Sequence, residues 1–251
     1  MSARRLITAA LAAFLASAPA FAQDVAITNA TLVIGDGGEP VRGGTVVVRG
    51  GTVVAAGAGV AVPAGIKVVD AGGKWVTPGL VVAVTDLGLL DVEAVDDSND
   101  TQAGKSPFNA ALDVAPAINP GAQHIAVSRA GGVTRAAVAP TGSNAIFAGQ
   151  GAVIDLGADP NPVNRARAFQ YVELGEKGGE LAGGSRVSAH AVLRNALAEA
   201  QEIALAPAGA RRDDVLLTRR DASALVPVVQ GRQPLYVRVE RAHDIRMALA
   251  L

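Results

Sequence analysis

The sequence predicts an α/β protein in two parts, a small β-sandwich up to Lys74 and a unit of alternating strands and helices after it. Three observations predict this. Residues 25–69 break into short β-branched runs separated by glycines. Val81 to Val84 form a continuous apolar run of the kind a parallel sheet buries on both faces. A helical pattern at Ala122 to Ala130 then leads into a strand at Val133 to Ala139, so that strand, helix and strand form a crossover unit.

The first residues point to export. Arg4 and Arg5 precede an apolar run from Leu6 to Ala16, and Ala20-Phe21-Ala22 places small residues around a cleavage point. That is the pattern of a secretory signal peptide over residues 1–22, cleaved after Ala22. The run is shorter than the roughly 20 residues needed to span a bilayer and ends at Pro19. The expectation is a secreted or periplasmic protein with no membrane span after signal cleavage. Cysteine is absent, which excludes disulfides, a zinc ribbon and a thiol nucleophile. With 22 Lys plus Arg against 23 Asp plus Glu there is no charge excess to condense onto nucleic acid. The expected partner is a small-molecule substrate or another protein.

Residues 23–74 read as the sandwich, with strands at Val25 to Ile34, Thr45 to Arg49 and Thr52 to Ala56. Gly50-Gly51 marks a two-residue hairpin, because both turn positions of a type I′ turn need positive φ. Residues 75–251 form the second part. There an acidic and polar loop from Asp91 to Ser106 precedes the crossover unit, and Ala145 to Leu156 reads as a hairpin bent at Gly149 and Gly151. Gly175 to Gly184 reads as a mobile polar loop. Ser185 then caps a long helix with Ala189, Leu193, Ala196, Leu197, Ala200 and Ala204 on its apolar stripe, Glu199 and Glu202 off it, and Pro207 at its end. A short helix at Arg220 to Val226, a strand at Leu235 to Val239 and a last helix from Ala242 complete the chain.

The run Trp75-Val76-Thr77-Pro78-Gly79-Leu80-Val81-Val82-Ala83-Val84-Thr85-Asp86-Leu87-Gly88 resembles, without a gap, the opening barrel strand of the amidohydrolase superfamily, whose usual form is Pro-Gly-Leu-Ile-Asp-Ala-His-Thr-His-Leu. The preceding sheet, closed by Gly72-Gly73-Lys74-Trp75, looks like the composite N-terminal domain of the exported, imidazolonepropionase-like members. Ala130-Gly131-Gly132-Val133-Thr134, Gly149-Gln150-Gly151, Ser185-Arg186 and Arg241 to Ile245 fit the same group. The resemblance implies a TIM-like (β/α) barrel after the sandwich, and hydrolysis of a C–N bond, in a non-peptide or cyclic amide, by metal-activated water.

The family's chemistry needs two histidines at i and i+2 of one strand, so that both reach the same divalent metal, usually zinc. Here those positions are Val84 and Asp86, and the later strand on which relatives carry another ligand has Arg238. Asp86 is therefore the candidate metal residue and Arg238 the candidate substrate-binding residue, with an Asp86–Arg238 ion pair expected if their strands converge. The metal is expected to be absent, and the family's general base lies beyond Leu251. Removing 75 residues leaves 176, whereas a closed barrel takes about 250, so the barrel is expected to be truncated. Two functions follow: a weak or inactive amidohydrolase, or a non-catalytic pseudoenzyme subunit, homo- or hetero-oligomeric, that assembles through an open barrel edge.

Competing motifs fail on spacing. Gly104-Lys105-Ser106 lacks the upstream glycine of a phosphate loop, since Asn99 stands there. The acidic run Asp86, Asp91, Glu93, Asp96, Asp97 and Asp100 lacks the period of a calcium loop. His124, His190 and His243 read as surface residues, and Ser143 lacks the glycine a nucleophile elbow requires.

Overall fold

The structure, a computed structural model, describes residues 24–92, 95–206 and 213–250. The expected signal peptide, Glu93 and Pro207 lie outside the described residues. The chain divides into two compact units between Pro78 and Gly79. No helix among the described residues is long and apolar enough to cross a membrane.

The described residues of the first unit form one five-stranded sheet, where a small β-sandwich was expected. It contains β1 (Val25–Leu32), β2 (Val41–Arg49), β3 (Thr52–Gly57), β4 (Lys67–Asp70) and β5 (Trp75–Val76). The order is β3-β2-β1-β4, with β5 also pairing β1. The Gly50-Gly51 hairpin forms as predicted: Arg49 pairs with Thr52, and the two glycines have φ of 54° and 77°. Strands β4 and β5 return parallel to β1. Because Trp75 and Val76 add to this sheet, the division falls after the Lys74 boundary read from the sequence.

The second unit is built on the strands β6 (Leu80–Thr85), β7 (Val133–Val138), β8 (Phe147–Asp155), β9 (Val163–Glu173) and β10 (Leu235–Arg238). Their order is β10-β9-β8-β7-β6. β6 and β7 are parallel, as are β9 and β10, but β8 runs antiparallel to both β7 and β9. The sheet is thus a curled, mixed half-barrel, and the purely parallel barrel start expected from the resemblance is interrupted by the β7–β8–β9 meander. Residues 145–156 do not form their own hairpin, because Gly149 and Gly151 lie inside β8 and its partner is β9. β9 itself went unread in the sequence. Strand β6 is an edge, and Leu80, Val81 and Val84 stay exposed where burial on both faces was expected.

Among the described residues the α-helices of this unit are α1 (Gln123–Ala130), α2 (Glu176–Leu181), α3 (Arg186–Leu205), α4 (Arg219–Val229) and α5 (Ala242–Leu249). Helix α2 occupies the segment read as a loop. Helix α3 starts as predicted, with Ser185 Oγ accepting from the Val187 amide at 3.2 Å. Its Ala189, Leu193, Ala196 and Ala200 pack with Leu225 of α4 against Phe147, Val172 and Leu174. A second cluster joins Ile125 of α1 to Ala136, Val138, Ala152 and Ile154 on the same face of the sheet. The opposite face carries Phe169 and Tyr171.

Glu199 departs from the helix pattern. Expected on the polar side of α3, it is fully buried. Its carboxylate accepts from Asn195 Nδ2 at 2.7 Å and from the amides of Leu216 and Leu217 at 2.7 and 3.1 Å. Asp221 acts alike on α4: it accepts from the amides of Asn109 and Ala111, both at 2.9 Å, and from the Thr218 hydroxyl at 2.7 Å. These two carboxylates satisfy loop amides that burial would otherwise leave unpaired.

Candidate functional site at the carboxyl ends of the strands

β6, β7, β9 and β10 all run in one direction, so their carboxyl ends lie at one end of the sheet. This is where ligands bind in barrel and open α/β proteins. β9 and β10 end in register, with Tyr171 opposite Tyr236 and Glu173 opposite Arg238. Because strand side chains alternate, Phe169, Tyr171 and Glu173 share one face. The Phe169 ring stacks on Tyr236 at a centroid distance of 4.1 Å. It also lies so close to Gly151 that a Cβ there would stand 2.1 Å from Phe169 Cζ, so only glycine fits.

Glu173 is fully buried, with neither carboxylate oxygen hydrogen-bonded. Its counterion is Arg238, at 3.7 Å, and Arg238 also reaches Glu240 at 4.0 Å. Burial pushes the Glu173 carboxyl above the usual carboxylate range, and Arg238 offsets only part of this. Burial likewise raises the Tyr171 phenol, with the Glu173 charge adding to the shift. Glu240 is anchored by the Glu176 amide, which donates to it at 2.9 Å. The result is a buried carboxyl beneath a half-exposed guanidinium, an arrangement that can orient an anionic group at the rim. Sequence reasoning missed Glu173 because it missed β9. The available signal was the alternation of Phe169, Tyr171 and Glu173.

The two residues singled out from sequence are not brought together. Arg238 ends β10 and Asp86 follows β6, the opposite edges of the sheet. Three strands stand between them, four steps of about 4.8 Å or roughly 19 Å along the sheet. The expected Asp86–Arg238 pair is therefore replaced by Arg238–Glu173. Asp86 instead lines a hollow of about 250 Å³ with His124 and Ser128. Val84 offers no donor atom. Among the described residues no three His, Cys, Asp or Glu side chains gather closely enough to hold a metal. His124, His190 and His243 lie on three different helices, α1, α3 and α5.

Two fragments that fitted the family separately do meet. Arg241 makes two hydrogen bonds to the buried Asp244, at 2.7 and 2.6 Å, and Arg186 Nε stands 3.5 Å from the same carboxylate. Arg241 holds the Asp244 carboxyl below its usual range. The contact joins the starts of α3 and α5 beside the carboxyl-end rim.

No family model matches the sequence, and no curated protein does. Among solved structures, an amidohydrolase from Thermotoga maritima MSB8 has the same fold, with a TM-score of 0.73 over 90% of this chain and 61% of its own, at 23% identity. The chain thus spans about three fifths of that protein's length. A molinate hydrolase aligns over 45% of this chain and 23% of its own at 30% identity, with a TM-score of 0.32, too low to relate the folds.

Proposed function

We propose that this chain belongs to the amidohydrolase superfamily, that its inherited reaction is hydrolysis of a C–N bond, and that the chain by itself turns over weakly or not at all. The observation that carries the proposal is the combination of a shared fold with an amidohydrolase and a mouth whose donor set does not suit zinc. At the two positions of the histidine pair, Val84 has no ligand atom and Asp86 supplies one carboxylate. At the other edge Arg238 presents a cation beside Glu173, which disfavours a divalent ion. What these residues do instead is bind: Arg238 takes an anionic group of a small molecule at the rim, while Glu173 fixes the guanidinium from below.

The test is elemental analysis of metal in the purified, signal-cleaved protein, alongside an amide-hydrolysis assay. A metal-free, inactive chain is the expected outcome. Stoichiometric zinc retained through dialysis would overturn the reading.

Strand β6 favours a second reading, that of a non-catalytic assembly subunit. It is an edge strand with Leu80, Val81 and Val84 exposed, so its backbone and apolar side chains are open to a strand from another chain. A defined oligomer by light scattering, lost in a Val81→Lys variant, is the outcome this reading expects.

A further inference from the structure

A cleft of about 900 Å³ in the second unit lies away from the carboxyl-end rim. It opens beside α4, at the end of β10 opposite Arg238, and Arg167, Arg219, Arg220 and Arg232 line it together with Gln150 and Gln233. We propose that this cleft binds a small organic oxyanion, a molecule bearing carboxylate or phosphate groups.

Charge is the first argument. The chain as a whole carries a formal net charge of −1, yet four guanidinium groups share one concavity, and none of the described lining residues is acidic. Of the carboxylates close by, Asp113 pairs with Arg167 at 3.6 Å and so offsets part of its charge, and Asp221 is buried against the Asn109 and Ala111 amides. Arg220 and Arg232, for which there is no ion pair among the described residues, leave this concave wall with a positive potential that an anion relieves.

Placement is the second argument. Arg219 and Arg220 occupy the first turn of α4, an 11-residue helix whose positive end already carries the Asp221 carboxylate, so the pull on an anion comes from the guanidinium groups. Arg167 reaches the cleft from a bulge of β9. Between the Gly151–Phe169 and Val153–Arg165 pairs, β8 advances two residues while β9 advances four. Within that bulge Arg167 adopts φ of 49°, a left-handed conformation uncommon for a side-chain-bearing residue.

The wall behind the arginines is the third argument. Gln233 is nine-tenths buried, and its Nε2 donates to the Arg167 carbonyl at 2.9 Å and to Gln150 Oε1 at 3.4 Å. Gln150 pairs across the strands with Gln170, which is fully buried with neither amide atom hydrogen-bonded. Buried amides of this kind make a polar wall, which an apolar ligand would not match. Guanidinium forks supply the bidentate geometry that carboxylates and phosphates take.

The proposal is independent of any activity at the Glu173–Arg238 rim. Isothermal titration of the full chain with citrate and with pyrophosphate, at matched ionic strength, tests it. Saturable one-to-one binding of at least one is expected, weakened by about tenfold or more in an Arg167→Gln/Arg220→Gln variant and unchanged in Arg246→Gln on α5. Citrate alone would identify a carboxylate ligand, pyrophosphate alone a phosphate ligand, and both a site for either. No binding of either, or equal binding by the folded double variant, overturns the proposal. If circular dichroism shows the double variant unfolded, Arg232→Gln, on the exposed turn before β10, is read by the same criterion.

Discussion

In the first unit, five strands form one sheet, β2 and β3 joined by a two-residue turn and the others by longer connections, and among its described residues only Ala26, Ala30, Leu32 and Val47 are apolar and buried. Val53, Val54, Val68 and Trp75 remain exposed, Trp75 at 68%. In the second unit a sheet of the same strand number packs against helices and holds the three apolar clusters found among the described residues. The comparison separates two contributions that are often merged. Turn chemistry and backbone pairing are enough to define strands, but burial needs a second layer, and most of the stabilising free energy comes with burial.

The largest test of this contrast is Phe147→Ala. Phe147 is buried under α3 and α4, so its truncation should lower stability by about 3–5 kcal/mol in denaturant unfolding. A cost below about 1 kcal/mol would mean that the helical layer does not hold the second unit together. Next is Glu199→Ala, which leaves the Leu216 and Leu217 amides without their carboxylate. The expected loss is about 1–3 kcal/mol, and Glu199→Gln should recover part of it.

A third test reads the buried electrostatics through pH. The Glu173 carboxyl titrates above its unfolded value because burial disfavours its charge. Its contribution to stability is therefore complete below an unfolded pKa of about 4.3 and is lost as pH rises through the folded value. Tm should decline across that window in the native chain and not in Glu173→Gln. Asp70 and Asp244, both lowered by hydrogen bonds, act in the opposite sense, and their contributions disappear only as pH falls below about 3.9. The smallest effect belongs to the first unit. Val53→Ser, on an exposed strand, should change stability by no more than about 0.5 kcal/mol. Trp75, the single tryptophan, should fluoresce as a water-exposed indole open to acrylamide quenching. A blue-shifted, protected emission would show that something covers the first sheet in solution and would narrow the difference between the units.

The sequence by itself determined the local features. The Gly50-Gly51 turn follows from the sign of φ, the start of α3 from a serine oxygen within reach of the Val187 amide, and the α3 core stripe from a 3.6-residue period. The strands β6, β7 and β10 were legible for the same reason, and so was the likeness in fold to an amidohydrolase. Tertiary structure alone decided the rest. β9 was hidden because its first half, Val163 to Arg167, is polar and carries a bulge, and Gly149 and Gly151 resembled a bend until Phe169 was found lying against Gly151. Glu199 lies off the apolar stripe in sequence, and the amides that justify its burial lie 17 and 18 residues further along the chain. Asp86 and Arg238 could be assigned a common mouth only while the strand order was unknown. Turns, caps and helix stripes depend on atoms a few residues apart, which a sequence displays directly. The placement of a buried charge depends on partners that only the folded chain brings within hydrogen-bonding distance.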